Sequence, residues 1–220
     1  MELHASVVIN GLPALLRGAA TTLYVCSAGI ALSLLVGVAL TIAGQSRFRL
    51  LRWYVRLHIS FARGTPLFVQ VMIVYYLAPS LAAGLSPLSA GILALSLNSA
   101  AYGSEIMRGA LSSIPKGQLD AARALSMSRW RIWRRILLPQ VFVLMLPPMT
   151  FEFAGIVRAS AILSVIGVTE LTRAGVQIVA STYRPIEVWI AVGTMYFLMI
   201  FTIGAISRRL ENSMRLLRSA

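Results

Sequence analysis

The residues best suited to chemistry fall into two groups. The first is DAARALSMSRWRIWRRILLP (120–139), where Arg123, Arg129, Arg131, Arg134 and Arg135 stand beside Trp130 and Trp133. Such a segment can contact nucleic acid, lie on an anionic membrane surface, or dock against a partner protein. The second group, Asn98, Glu152 and Arg158, lies inside apolar sequence. Charges there are costly, so they should face the protein interior and find a partner. Asn98, Glu152 and Arg158 could line a polar pathway through the membrane. Equally, Glu152 could cap amides near Pro147 and Pro148 or pair across subunits. No nucleophile–base pair or phosphate-binding glycine loop is apparent, and His4 and His58 are isolated, so neither a catalytic centre nor a metal is expected.

The elements that must position these residues are membrane helices. The chain has 220 residues, a mean hydropathy of +0.79 and only 12% charged residues, about half the share of a soluble domain. A single all-α membrane domain over 1–220 follows. A spanning helix takes about 20 apolar residues, and five such runs are present: 19–44, 66–85, 87–106, 141–168 and 186–207. The start of the chain lacks the basic residues and small-residue cleavage site of a signal peptide, so the first helix should be retained. Gly29, Gly37 and Gly44 suit close packing of that helix. Pro147-Pro148 should bend or break the fourth span. Glu152 lies about 16 Å beyond Val141 along a helix, near the bilayer midplane. Residues 167–186 form a small, polar connection.

The formal charge of +13 is not spread evenly. Sixteen of the 20 cations lie in three regions that a five-span chain places on one side: 47–63, 108–135 and 208–218. That side is cytoplasmic by the positive-inside rule, with the N-terminus outside and the C-terminus inside. The basic segment thus lies in a cytoplasmic loop of about 108–139. Leu125, Ile132, Trp133 and Ile136 recur at spacings that suit an amphipathic helix. A bilayer-tethered patch without a reader fold gains little from nucleic acid, so lipid contact and protein docking remain. Glu105 and Arg108, at i,i+3, should pair.

The loop resembles a family signature. Asp120-Ala121-Ala122, three residues, Ser126, nine residues, then Ile136-x-Leu138-Pro139 is similar to the E-A-A…G…I-x-L-P loop of bacterial ABC importer permeases. ARGTPLFVQ (62–70), NSAAYGSEIMRGALSSIPKGQ (98–118), LLPQ (137–140) and LPPMTFEF (146–153) narrow the resemblance to the polar amino-acid type, for histidine, glutamine, arginine or opines. It implies a five-helix permease in the bacterial inner membrane, coupled to a separate ATPase that binds ATP and Mg. It also implies a second permease, identical or paralogous, an external solute-binding protein, and no nucleic-acid partner. Asp120, Ala121, Ala122, Leu125, Ser126, Trp130, Trp133, Ile136 and Pro139 would then form the coupling surface. Ser126 replaces the usual glycine and is strained if the turn needs a positive φ. Against the family pattern Ser160 stands for threonine and joins Asn98, Glu152 and Arg158 as a pathway residue. Ala159, where the family often has an acid, makes an acidic, neutral or modified solute at least as suitable as a cationic one. Membrane lipid remains a partner of arginines at the loop's edges. Two other readings stand: a permease for an opine, compatible solute or other small polar compound, and an ATPase-independent scaffold or carrier with a lipid-binding loop.

Overall fold

The computed structural model describes residues 4–80 and 84–219, and every regular element among them is helical. Helix α1 (Ala5–Gly44) has 40 residues and starts well before the expected run at 19–44. Its extra turns are held by tertiary contacts. Leu15 is buried with Leu171 and Ala174 of α8 (Leu171–Thr182) and Val188 and Val192 of α9 (Pro185–Ser219). Burying an aliphatic side chain of this size contributes about 1.5–3 kcal/mol.

Helices α2 (Arg49–Gly64) and α3 (Leu67–Ser80) meet at a bend of 116°. Thr65 is extended at φ −124°, as the residue before Pro66 must be, and proline then opens the next helix. The described part of the expected second span, α3, is 14 residues long, short of a bilayer's thickness by itself. Residues 81–83, at the end of that expected run, lie outside the described residues.

Helix α4 (Pro87–Ser112) is capped by Ser86, whose hydroxyl accepts the Ser89 amide at 3.2 Å. It is the internal helix, with Ala90, Ala94, Ala100, Ala101 and Gly103 buried. Small residues let α1 come close: a Cβ on Gly37 would lie 3.4 Å from the Ala100 carbonyl. Gly29 and Gly44 pack less tightly, at 3.8 Å from Ile156 and 3.6 Å from Val55. The main core joins Val25 and Cys26 of α1, Val71, Ala94, Leu95, Ile156, Val157 and Leu163.

Short helices α5 (Lys116–Ala124) and α6 (Arg129–Ile132) follow. A π turn at Trp133–Leu137 then leads into α7 (Leu138–Ala159). Helix α7 runs through Pro147-Pro148 without a break. Neighbouring helices hold a membrane helix together where prolines remove its internal bonds, and α4 and α9 both flank α7. A 3-10 turn (Ser160–Ile166) ends at Gly167, φ +90°, before α8.

Among the described residues, three units are long and apolar enough to cross a membrane: Ser6–Gly44, Arg129–Ile166 and Pro185–Met214. The bent α2–α3 pair makes a fourth if counted as one span, against the five expected. Helix α4 is long enough but carries Ser96, Asn98, Ser99, Ser104 and Glu105. Its surroundings are largely protein, so it need not be uniformly apolar.

Candidate functional site

The basic loop is a helix–turn–helix, not one amphipathic helix. At the end of α5 the Met127 amide donates to the Ala122 carbonyl at 3.1 Å and the Ser126 amide to the Arg123 carbonyl at 2.9 Å. This is a Schellman cap, and it needs a left-handed residue after the helix. Ser126 adopts φ +54°, the conformation in which serine is strained and glycine is not. The Ser128 hydroxyl then caps α6 by accepting the Arg131 amide at 3.4 Å.

Beneath the turn, Ala122, Ile132 and Leu137 form a small core with Ala110, Ile114 and Val141, flanked by Met127 and Ile136. The predicted coupling residues therefore divide by role. Ala122 and Ile136 face this core and fix the turn to α4 and α7. Leu125 and Trp130 project outward, 77% and 71% exposed, and Trp133 is partly exposed at 38%. Asp120, Ala121 and Pro139 are also exposed, and Asp120 accepts from Arg123 Nη1 at 3.1 Å. A shallow cleft of about 390 Å³ lies between Gln118, Ala121, Leu125, Met127 and Ile136.

The π turn is a feature the sequence reading missed. The Leu138 amide donates to the Trp133 carbonyl, five residues back. Pro139 follows directly, and its ring would clash with a carbonyl four residues earlier in a tight α-helix. The wider turn relieves that clash and aims Trp133 outward while Leu137 turns in.

The four predicted pathway residues do not converge: no hydrogen bond or ion pair joins any two of them. Asn98 donates to the Gln70 side-chain oxygen at 3.0 Å and to the Ala62 carbonyl at 3.2 Å. Gln70 in turn donates to the carbonyls of Ala62 and Thr65 at 3.1 and 3.0 Å. This network satisfies backbone freed by the α2–α3 bend, so Asn98 acts as a tie between α4 and the bend. Ser160 is fully buried and donates to the Val157 carbonyl at 2.8 Å. Glu152 is half-buried, beside Ser99 of α4 and within the field of Arg158. Arg158 is exposed, stacked 5.4 Å over the Phe151 ring, in a cleft of about 430 Å³ with Phe197 and Phe201.

Three residues escaped the sequence reading. Gln70 and Ser99 were detectable as polar positions within apolar runs. Glu170 is fully buried and caps α8, accepting the Thr172 and Arg173 amides at 2.8 Å each and the Tyr196 hydroxyl at 2.7 Å. Its signal was an acid directly before a helical segment.

Comparison with known proteins gives consistent matches. The family described as binding-protein-dependent transport system inner membrane component matches residues 29–216. The chain is 35% identical over 219 residues to the glutamine transport system permease protein GlnP of Escherichia coli, covering 99% of this chain and 100% of that protein. It is 35% identical over 216 residues to the arginine transport system permease protein ArtQ of Bacillus subtilis, covering 98% and 99%. Among solved structures, an amino acid ABC transporter crystallised with histidines superposes with a TM-score of 0.89 at 30% identity, covering 97% of this chain and 100% of that one.

Proposed function

Since the chain belongs to the family of binding-protein-dependent transport inner-membrane components, we propose that it is the permease subunit of an ATP-driven importer for a polar amino acid or related solute. The names of the glutamine and arginine permeases it resembles support that solute class. The observation that carries the coupling role is the knob at 120–139. It exposes Leu125 and Trp130 on a turn whose own core ties it to α4 and α7. Exposed aromatic and aliphatic anchors on a rigid mount are what a partner's groove binds, and the surrounding arginines would set orientation.

In this reading a cytoplasmic ATPase binds ATP and Mg and docks at Asp120, Leu125, Trp130 and Trp133. A second permease completes the pathway, and an external solute-binding protein delivers the substrate. Five crossings (α1, α3, α4, α6–α7 and α9) would put the N-terminus outside and the basic knob in the cytoplasm of a bacterium, with α4 enclosed by its neighbours. Glu152, beside Ser99, would face the ammonium of the solute and Arg158 its carboxylate.

The test is ATP hydrolysis in liposomes. The chain is co-expressed with its candidate ATPase and binding protein, then offered a panel of amino acids and related solutes. Stimulation by one solute that is lost in Asp120→Lys supports both coupling and solute class. Basal hydrolysis without any response would remove the amino-acid assignment. Failure of any ATPase to co-purify would overturn the coupling role.

A further inference from the structure

A second polar site lies away from the knob, where α1 ends, α2 begins and the last turns of α4 come alongside. We propose that this cleft binds the phosphate of an anionic glycerophospholipid. Its volume is about 930 Å³, and Arg49, Arg52, Arg56, Arg108 and Glu105 line it. Glu105 is already engaged. Arg108 donates to both its oxygens, from Nε at 2.9 Å and Nη2 at 2.7 Å, and Arg63 Nη1 stands 3.8 Å away. Among the described residues no carboxylate lies within 4.0 Å of Arg49, Arg52 or Arg56. Three guanidiniums therefore face one cleft without an internal counter-charge.

Two of them are held in place by backbone. Arg52 Nη1 donates to the Ser46 carbonyl at 2.7 Å, and Arg56 Nε donates to the Arg52 carbonyl at 3.3 Å. Each guanidinium has five donors, so the rest stay available. Arg49 is the first residue of α2, where the positive end of the helix dipole adds to the field. Planar guanidinium forks match phosphate oxygens in pairs.

The source of the phosphate follows from the same helix. At about 100° per residue, Arg49, Arg52, Arg56 and Arg63 fall on one face of α2. Leu50, Trp53, Tyr54, Leu57 and Phe61 fall on an adjoining face, and all are exposed, from 44% to 76%. Arginines beside an exposed aromatic and aliphatic stripe are the layout of a helix lying in the membrane interface. A headgroup in the cleft would let its acyl chains run along that stripe, for which free phosphate has no use. A zwitterionic lipid brings an ammonium that three arginines repel. The proposal is independent of the transported solute and of any ATPase.

The test is native mass spectrometry of the full chain from mixed micelles with equal amounts of phosphatidylglycerol and phosphatidylcholine. The expected result is selective retention of phosphatidylglycerol, unaffected by inorganic phosphate. Each cleft arginine removed should weaken retention by about five-fold, so Arg49→Gln/Arg56→Gln should lose most of it. Arg208→Gln/Arg209→Gln, with the same charge loss elsewhere, should keep it. Equal retention of the two lipids by the unmodified chain, or equal loss in both double variants, would overturn the site. Displacement of phosphatidylglycerol by inorganic phosphate would overturn the lipid assignment and leave a soluble-anion site. The unmodified chain's preference between lipids needs no variant to fold.

Discussion

At φ +54°, Ser126 holds a conformation that costs a residue with a Cβ roughly 1–2 kcal/mol. Ser126→Gly should accordingly raise stability by about 1 kcal/mol, and Ser126→Val should lower it, as read from thermal unfolding midpoints in detergent. The resemblance of the loop to the family signature puts a glycine there, with strain in serine if the turn needs a positive φ, and φ +54° meets that condition. Glu170 was legible only as an acid before a helical segment, and its bond to Tyr196, 26 residues away, was not. Glu170→Ala leaves two amides and a hydroxyl without their acceptor, a loss of about 1–3 kcal/mol per buried group left unpaired. Burial pushes the Glu170 carboxyl above its ordinary value, against the pull of the Thr172 amide, the Tyr196 hydroxyl and the Arg173 amide. A carboxyl raised in the fold keeps a proton that the unfolded chain has released. Its contribution to stability therefore falls as pH rises from the ordinary carboxylate value through the raised one. Glu170→Gln should flatten that slope, measured as unfolding midpoint against pH.

Among the helices, the contact between α1 and α8 is the tightest test of packing. A Cβ on Gly18 would lie 2.9 Å from Ala174 Cβ, 3.0 Å from Leu171 Cα and 3.1 Å from the Glu170 carbonyl. Two of these are backbone atoms that cannot swing aside, so Gly18→Ala should cost about 1–3 kcal/mol. Gly193→Ala in α9 meets nothing within 4 Å and should stabilise by up to about 1 kcal/mol. The knob separates stability from coupling in the same way. Ile132→Ala, in the small core, should cost about 2–5 kcal/mol. Leu125→Ala and Trp130→Ala should shift unfolding by less than about 0.5 kcal/mol yet abolish solute-stimulated ATP hydrolysis. The reverse pattern would mean that the exposed pair is not a docking surface. Apolar periodicity located Ile132 and Ile136 but could not assign Leu125 and Trp133 to the outer face, because the turn at Ser126 and the π turn at Trp133–Leu137 both break the 3.6-residue phase. The start of the second run at Pro66 was legible, but the tie from Gln70 to Asn98 that closes the bend there spans 28 residues and was not.

For the whole molecule, apolar runs and clustered cations located nearly all the long helices. They could not reveal that α4 is enclosed by others, since enclosure is a property of the assembled bundle. Orientation can be checked through thiol labelling, because the chain's one cysteine, Cys26, is buried. Ser128→Cys should react with an impermeant reagent from the cytoplasmic side. Tyr183→Cys, at an 85% exposed position in the α8–α9 connection, should react from outside. The opposite result would reverse the proposed topology. The unbroken run from Arg129 to Ile166 also makes the molecule a machine part. Trp130 and Glu152 ride on one rod, 22 residues or about 33 Å apart. A tilt of about 5° at the foot of that lever sweeps Glu152 sideways by about 3 Å, the length of a hydrogen bond. Under the proposed docking, a small push at the knob would therefore displace Glu152 by about the length of a hydrogen bond.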